Sequence, residues 1–178
     1  MTKVVDIQAY RVKVIEQRAF GSWEKRFGES YHINIRFSDL SDNALHFLAQ
    51  PGENSAAAYY ELIMGILDLG PATKFNYLPN KEQITVIDIH LFLADQVRFE
   101  IMRRLKWLIN LPCEKYGLVE MVLRFDSVKS ECKGTFPELA ASHPDYPAYA
   151  RLPQSEKESF IRRLLRDALD TFKDRLGS

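Results

Sequence analysis

The sequence predicts an α+β domain with a mostly antiparallel sheet, helices packed on one face and a C-terminal amphipathic helix. Two patterns carry this prediction: short runs in which apolar and polar residues alternate, and longer runs in which apolar residues recur every three or four positions. Single helices separate pairs of predicted strands, as is typical of an antiparallel sheet covered on one face. The 178 residues contain no internal repeat and no sustained strand–helix–strand alternation.

Strand patterns alternate with helical ones through the first 125 residues. In residues 31–37, tyrosine, isoleucine and phenylalanine alternate with polar side chains, which predicts one buried face. Residues 85–92 are rich in β-branched side chains, which strands favour. The predicted strands are residues 4–16, 31–37, 75–78, 85–92 and 119–125, with the third and fourth paired as a hairpin.

Helical spacing predicts four helices. In the last of them, Ser155 and Glu158 have the spacing of a capping box, in which two side chains satisfy free backbone amides. Its wide apolar stripe indicates packing on the domain's own core rather than in a coiled coil. The predicted helices are residues 41–49, 55–69, 93–111 and 155–176.

Residues 17–30 and 133–154 are predicted to be irregular, and the second segment is the strongest functional signal. It holds four of the eight prolines together with Tyr146 and Tyr149. Prolines limit the entropy lost on docking, and tyrosines offer contacts that are both apolar and polar. We therefore predict His143, Tyr146 and Tyr149 as interaction residues. The equally weighted alternative is that this loop covers an edge of its own domain.

The amino-acid composition and the length of the chain argue against several classes of protein. The 24 basic and 24 acidic residues cancel, so no overall field attracts a phosphate backbone or an anionic membrane. The length predicts one domain spanning residues 1–178. No signal-peptide or membrane-span pattern occurs, so a soluble, cytoplasmic protein is expected. One disulfide between Cys113 and Cys132 is formally possible, but nothing indicates a secreted disulfide framework.

The candidate chemical site is Asp88 with His90. On a strand these two side chains would share one face, and Asp126 or Glu120 on a neighbouring strand would complete a metal or acid–base site. The alternative, which we favour, is that this face points to solvent. Cys113 is a candidate nucleophile, against the commoner role of a small buried hydrophobe. We expect no cofactor.

A second alternative is nucleic-acid binding, because basic and aromatic residues cluster in two segments. Against it, basic residues at the end of a helix already complement its dipole, and the aromatic residues are needed for the core. The residues concerned are Arg18, Trp23, Lys25, Arg26, Arg103, Arg104, Lys106 and Trp107.

The sequence contains no convergent catalytic motif. The leading prediction is therefore a non-enzymatic protein-interaction or self-assembly module whose partner is another protein or a second copy, with no membrane partner. A small-ligand-binding protein or enzyme with a site near Asp88 and His90 is the alternative.

Overall fold

The computed structural model describes residues 6–177, and helices account for most of them. Two short 3₁₀ helices, Phe37–Asp39 and Ala72–Tyr77, lie between the α-helices. The nine α-helices of the described residues are α1 Ile7–Phe27, α2 Asp42–Ala49, α3 Glu53–Ile66, α4 Asn80–Arg104, α5 Leu118–Leu123, α6 Phe125–Glu131, α7 Tyr146–Ala150, α8 Gln154–Arg163 and α9 Leu165–Leu176.

The predicted α+β class with a mostly antiparallel sheet is wrong. Within residues 6–177 the sheet consists of two strands of two residues each, β1 Leu108–Ile109 and β2 Glu138–Leu139. They pair antiparallel, with Leu108 opposite Leu139. The architecture is therefore helix packed on helix, and a core between helices replaces the predicted core on a sheet.

The predicted strand 4–16 and loop 17–30 are both wrong, because one helix, Ile7–Phe27, runs through them. Positions 4 and 5 lie outside the described residues. The carboxylate of Asp6 accepts from two backbone amides of the first turn, at 3.0 and 3.2 Å. Gly28 ends the helix in the left-handed conformation, with φ of 69°.

The alternation that suggested a strand at the start of α1 is local and short. Val12 and Val14 fit a period of two, but they are only partly buried. The buried residues of α1 are Ala19, Phe20 and Trp23, whose spacing is helical. The segment is therefore a helix, because the residues at helical spacing in its second half are the ones that pack against α3.

The predicted strand 85–92 is also wrong, because it lies inside α4, Asn80–Arg104. The helix begins 13 residues before the predicted start at position 93. Val86, Ile89, Leu93, Val97 and Ile101 are buried at intervals of three and four residues. The run of β-branched residues hid this period, since the same residues also satisfy alternation over a short window.

The other predicted strands are wrong as well. Residues 119–125 form α5 and the first residue of α6. Residues 75–78 overlap the 3₁₀ helix Ala72–Tyr77. In residues 31–37 the alternation of burial is present, but no second strand pairs with the segment; Leu118 N–H donates to the Ile35 carbonyl at 2.9 Å.

Three predicted helices are found. Ser41 caps α2 by accepting from Ala44 N–H at 3.1 Å, and α3 covers most of the predicted 55–69 helix. The C-terminal helix is present as α8 and α9, which meet at Leu164. The predicted capping box is wrong, because the residue before α8 is Pro153 and no side chain caps that end.

Buried side chains form two clusters, and α4 contributes to both. The larger cluster joins α1 to α6 with α9. The smaller cluster joins the C-terminal half of α4 with the sheet, α7, α8 and the start of α9. Its buried members are Phe99, Met102, Leu108, Leu139, Tyr149, Ile161 and Ala168.

An ion-pair network stabilises the C-terminal half of α4. The buried carboxylate of Glu100 accepts from Arg103 at 2.8 and 2.6 Å and from Arg104 at 3.0 Å. Arg104 also donates to Asp42 of α2 at 2.7 Å and to the Leu40 carbonyl at 2.6 Å. Because charged hydrogen bonds satisfy the buried carboxylate on several sides, α4 is fixed to α2 and to the loop before it.

Within residues 6–177, none of the helices combines the length and the apolar character needed to cross a bilayer. The prediction of a single domain stays a prediction.

Candidate functional site

A cleft of about 960 Å³ opens between α4 and the arm, which we define as residues 133–153. Side chains of α6 and α8 also line it. The volume lies near the upper end of the range for small-molecule sites, roughly 300–1,000 Å³. Five aromatic side chains contribute to its surface: Phe92, Phe99, Phe136, Tyr146 and Tyr149.

The arm is held in place by backbone pairing. Its strand β2 pairs with β1, and Ala140 N–H donates to the Trp107 carbonyl at 2.7 Å. The ring of Trp107 also meets the ring of His143 edge to face, with centroids 4.9 Å apart. The loop predicted to be irregular is therefore ordered against its own chain, and it forms one wall of the cleft.

The three predicted interaction residues lie in this wall or behind it. His143 and Tyr149 are buried, whereas Tyr146 is partly exposed. Burial raises the pKa of the Tyr149 hydroxyl, and a hydrogen bond from the backbone of Leu139 opposes that rise. Tyr149 therefore serves as a neutral anchor of the arm, while Tyr146 presents part of its ring to the cleft.

The opposite wall is organised by Arg162 of α8. Its guanidinium donates to both oxygens of Asp95 on α4, at 3.2 and 3.0 Å, and to Glu158. The hydrogen bond to Asp95 raises the pKa of Arg162, so the group keeps its charge. The same guanidinium lies 5.5 Å from the ring centroid of Phe136, and this pair links α8 to the arm.

The charges around the cleft balance. Lys157 lies over the ring of Tyr149 at 5.0 Å, and Glu138 accepts from Asn110 at 2.7 Å. The surface therefore combines aromatic area with charges of both signs and carries no net formal charge. The acidic lining residues are Asp95, Asp126, Glu138 and Glu158, and the basic ones are Lys129, Lys133, Lys157 and Arg162.

Cys113 and Cys132 are joined by a disulfide, with Cα atoms 6.5 Å apart, and both line the cleft. The bond ties the segment after β1 to the end of α6. The structure therefore contains the one disulfide that the sequence left formally possible. Cys113 has no free thiol here, so the nucleophile hypothesis finds no support.

Asp88 and His90 do not converge. Successive side chains of a helix differ by about 100°, so residues two apart point in nearly opposite directions. Asp88 is exposed and lines a smaller cavity of about 410 Å³ together with Asp126. His90 instead packs against the rings of Tyr59 and Tyr60, with centroids 4.7 and 5.4 Å away.

The environment of His90 is that of a packed aromatic ring. Burial lowers its pKa, and the positive charge of Arg98 lowers it further. Glu120, the other predicted member of this site, pairs with Arg124 of its own segment at 3.0 Å. In the part of the chain that the structure describes, no three His, Cys, Asp or Glu side chains are grouped to hold a metal ion.

The basic and aromatic residues of the nucleic-acid hypothesis are mostly engaged inside the fold. Trp23 is buried and donates to the Ala58 carbonyl at 2.8 Å. Arg18 donates to the Gly65 carbonyl at 3.0 Å, and Arg26 pairs with Glu61 at 2.8 Å. Arg103 and Arg104 bind Glu100, as described above. Trp23 and the four arginines are thus engaged within the fold, whereas Lys25 and Lys106 are exposed, and nucleic-acid binding stays a prediction.

Sequence reasoning missed the α4 and α8 sides of the cleft. Phe99 and Arg162 are 63 residues apart, and only packing brings their helices to the same cleft. The charge pairing of Arg162 with Glu158 was visible as a spacing of four, but its bond to Asp95 was not. The chain as a whole matches no protein-family model, no curated protein and no solved structure.

Proposed function

We propose that this chain is a protein-interaction module that binds a peptide segment of a partner protein in the cleft between α4 and the arm. The observation that carries the proposal is the docked arm, from which Tyr146 and Phe136 both line the cleft. Aromatic residues and arginine are the residue types enriched at binding hot spots.

The charges of the cleft favour a peptide over a reacting substrate. Arg162 pairs with Asp95 and Glu158, and Lys157 lies over Tyr149, so the charged groups satisfy one another along the walls. Catalysis would need such groups to converge on one reacting atom. A mixed, neutral and aromatic surface suits the alternating side chains of a peptide better.

The rigidity of the arm supports affinity. Pairing of β2 with β1 and burial of Tyr149 hold the wall in place before any ligand arrives. Binding to a preorganised wall loses less conformational entropy than binding to a free loop. One short helix, α7, and one strand, β2, therefore stand in the arm where the sequence predicted an irregular segment.

The test is a random-peptide display library selected on the full chain. Selected peptides are synthesised, and their affinities are measured by fluorescence polarisation against the wild type, Tyr146→Ala and a control, Tyr10→Ala. Tyr10 is an exposed tyrosine on α1, away from the cleft. We expect Tyr146→Ala to weaken binding at least roughly tenfold, a typical hot-spot effect, and Tyr10→Ala to leave it unchanged.

Equal loss in both variants, or selected peptides that ignore Tyr146→Ala, would contradict the proposal. Thermal unfolding of each variant checks that the fold is retained. A library that yields no binder at micromolar affinity counts against the proposal as well.

A cytoplasmic location stays a prediction, and the Cys113–Cys132 disulfide weighs against it because such bonds are rare in reducing compartments.

A further inference from the structure

The Cys113–Cys132 disulfide connects the core of the fold to the start of the arm. Cys113 is only 2% exposed and belongs to the larger cluster of buried side chains. Cys132 is partly exposed, follows the last residue of α6 and directly precedes the arm, residues 133–153. The bond therefore fixes the point at which the arm leaves α6 to a segment that is itself held in the core.

The start of the arm and its middle are held by different contacts. Pairing of β2 with β1 holds the middle. At the start, Lys133 N–H donates to the Ser130 carbonyl at 3.2 Å, and the Thr135 hydroxyl donates to the Cys132 carbonyl at 2.7 Å. These bonds join residues three apart, so they shape the turn after α6 but do not attach it to the segment after β1. The disulfide makes that attachment.

The tethered turn belongs to the wall of the cleft. Residues 132–139 all line the cleft, and Cys113 lines it from the other side of the bond. Gly134 within this run has φ of 82° and supplies a backbone position with wide conformational freedom. The position of this part of the wall therefore depends on the attachment at Cys132.

We infer that the Cys113–Cys132 disulfide is a redox-controlled tether of the arm, and that its reduction by a dithiol loosens the start of the arm and weakens binding in the cleft. The effect on binding rests on the proposed function, whereas the effect on the arm does not.

The reduction is a thiol–disulfide exchange that begins at Cys132, because Cys132 is partly exposed in the wall of the cleft and Cys113 is buried. A thiolate of the dithiol attacks Sγ of Cys132, the Sγ–Sγ bond breaks, and Cys113 leaves as a thiolate and takes up a proton. The second thiol of the reductant loses its proton, attacks the mixed disulfide and releases Cys132, which takes up a proton. Two electrons and two protons pass to the protein, and the reductant leaves as its own disulfide.

The rest of the fold does not depend on this bond. The larger cluster joins α1 to α6 with α9, and the smaller one joins α4 with the sheet and the C-terminal helices. A chain of this length buries enough apolar surface to fold without a disulfide. Reduction should therefore open residues 132–136 locally and leave the packing of α1 to α4 in place.

Hydrogen exchange followed by mass spectrometry tests the tether on the full chain, oxidised and after reduction with dithiothreitol. We expect the amides of residues 132–136 to exchange at least roughly tenfold faster in the reduced protein, whereas α3 exchanges alike in both states. The control is the double variant Cys113→Ser, Cys132→Ser, which should match the reduced wild type with and without dithiothreitol.

Three results of this measurement overturn the inference. The first is equal exchange of residues 132–136 in the two redox states. The second is a loss of protection across the whole chain on reduction, since the bond would then stabilise the entire fold. The third is a count of two free thiols in the folded protein after oxidation in air.

Peptide binding tests the consequence for the cleft. Peptides selected on the oxidised protein should bind the reduced protein and the double variant at least roughly tenfold more weakly, as measured by fluorescence polarisation. Equal affinity in the two redox states overturns the control of the cleft. A library without binders contradicts the proposed function instead, and hydrogen exchange then still decides whether the disulfide controls the arm.

Discussion

The two halves of α4 belong to one continuous helix but have different surroundings. The C-terminal half is buried on two sides, because Val97 and Ile101 face the larger cluster while Phe99 and Met102 face the smaller one. The N-terminal half is buried on one side and exposes Ile84 and Leu91 on the other. On this side of the helix, Asp95 and Arg98 separate the exposed apolar residues of the N-terminal half from the buried Met102.

The acidic residues of the two halves differ in the same way. Glu100 is buried and accepts hydrogen bonds from two arginines. Asp88 is exposed at the edge of a shallow cavity. The comparison teaches that the arm, the sheet and the C-terminal helices bury a second side of the C-terminal half of α4, whereas the N-terminal half keeps that side exposed to solvent.

The largest expected difference in the free energy of unfolding is between alanine variants at Met102 and at Leu91. Met102→Ala removes a fully buried side chain and leaves a cavity, so we expect the free energy of unfolding to fall by about 3 kcal/mol. Leu91→Ala changes an exposed side chain and should alter it by less than about 0.5 kcal/mol. Urea unfolding at one low protein concentration measures both. Equal losses of unfolding free energy would show that Leu91 is buried within the monomer.

A smaller difference is expected between the two acidic residues. Glu100→Gln removes the negative charge that Arg103 and Arg104 bind, and should cost about 2 kcal/mol in unfolding free energy. Asp88→Asn should change it by less than about 0.5 kcal/mol. The same urea titration compares the two variants. A cost for Asp88→Asn as large as that for Glu100→Gln would contradict the contrast between the halves.

The smallest expected effect concerns His90, on the buried side of the N-terminal half. Its folded-state pKa is lowered by burial, so the unfolded chain takes up a proton at a higher pH than the folded chain does. Its contribution to stability is therefore present above the ordinary histidine pKa and is lost as the pH falls below it. His46 has a lowered pKa as well.

We expect His90→Asn to reduce the loss of stability between neutral and mildly acidic pH, with the part due to His46 remaining. Urea unfolding at several pH values measures the slope for the wild type and the variant. An unchanged slope would show that His90 titrates alike in the folded and unfolded chains.

Several helices could be predicted from the sequence, because their apolar residues recur at helical spacing over about ten residues. The predicted helices 41–49 and 55–69 are found as α2 and α3, and Ser41 caps α2. Residues 85–92 and 119–125 could not be predicted, because short runs rich in Val, Ile and Leu fit both a period of two and a helix. The choice between them came from the neighbours against which these runs pack.

The candidate site was predicted in part. The arm and Tyr146 were identified from composition, and Tyr146 lines the cleft. Asp88 and His90 were paired on the assumption of a strand, and on a helix the same spacing separates them. Phe99, Arg162 and the disulfide could not be placed, because each depends on contacts between segments distant in the chain.

By itself the sequence determined where several helices lie, the balance of charge and the unusual composition of residues 133–154. These properties depend on side chains within a few turns of one another, such as the apolar residues that recur at helical spacing in residues 55–69. Only the tertiary structure decided the helical class, the cleft and which apolar side chains of α4 are exposed. Each of these depends on which apolar surface is buried by which distant segment, and burial of apolar area, the dominant favourable term in folding, is set by the whole chain.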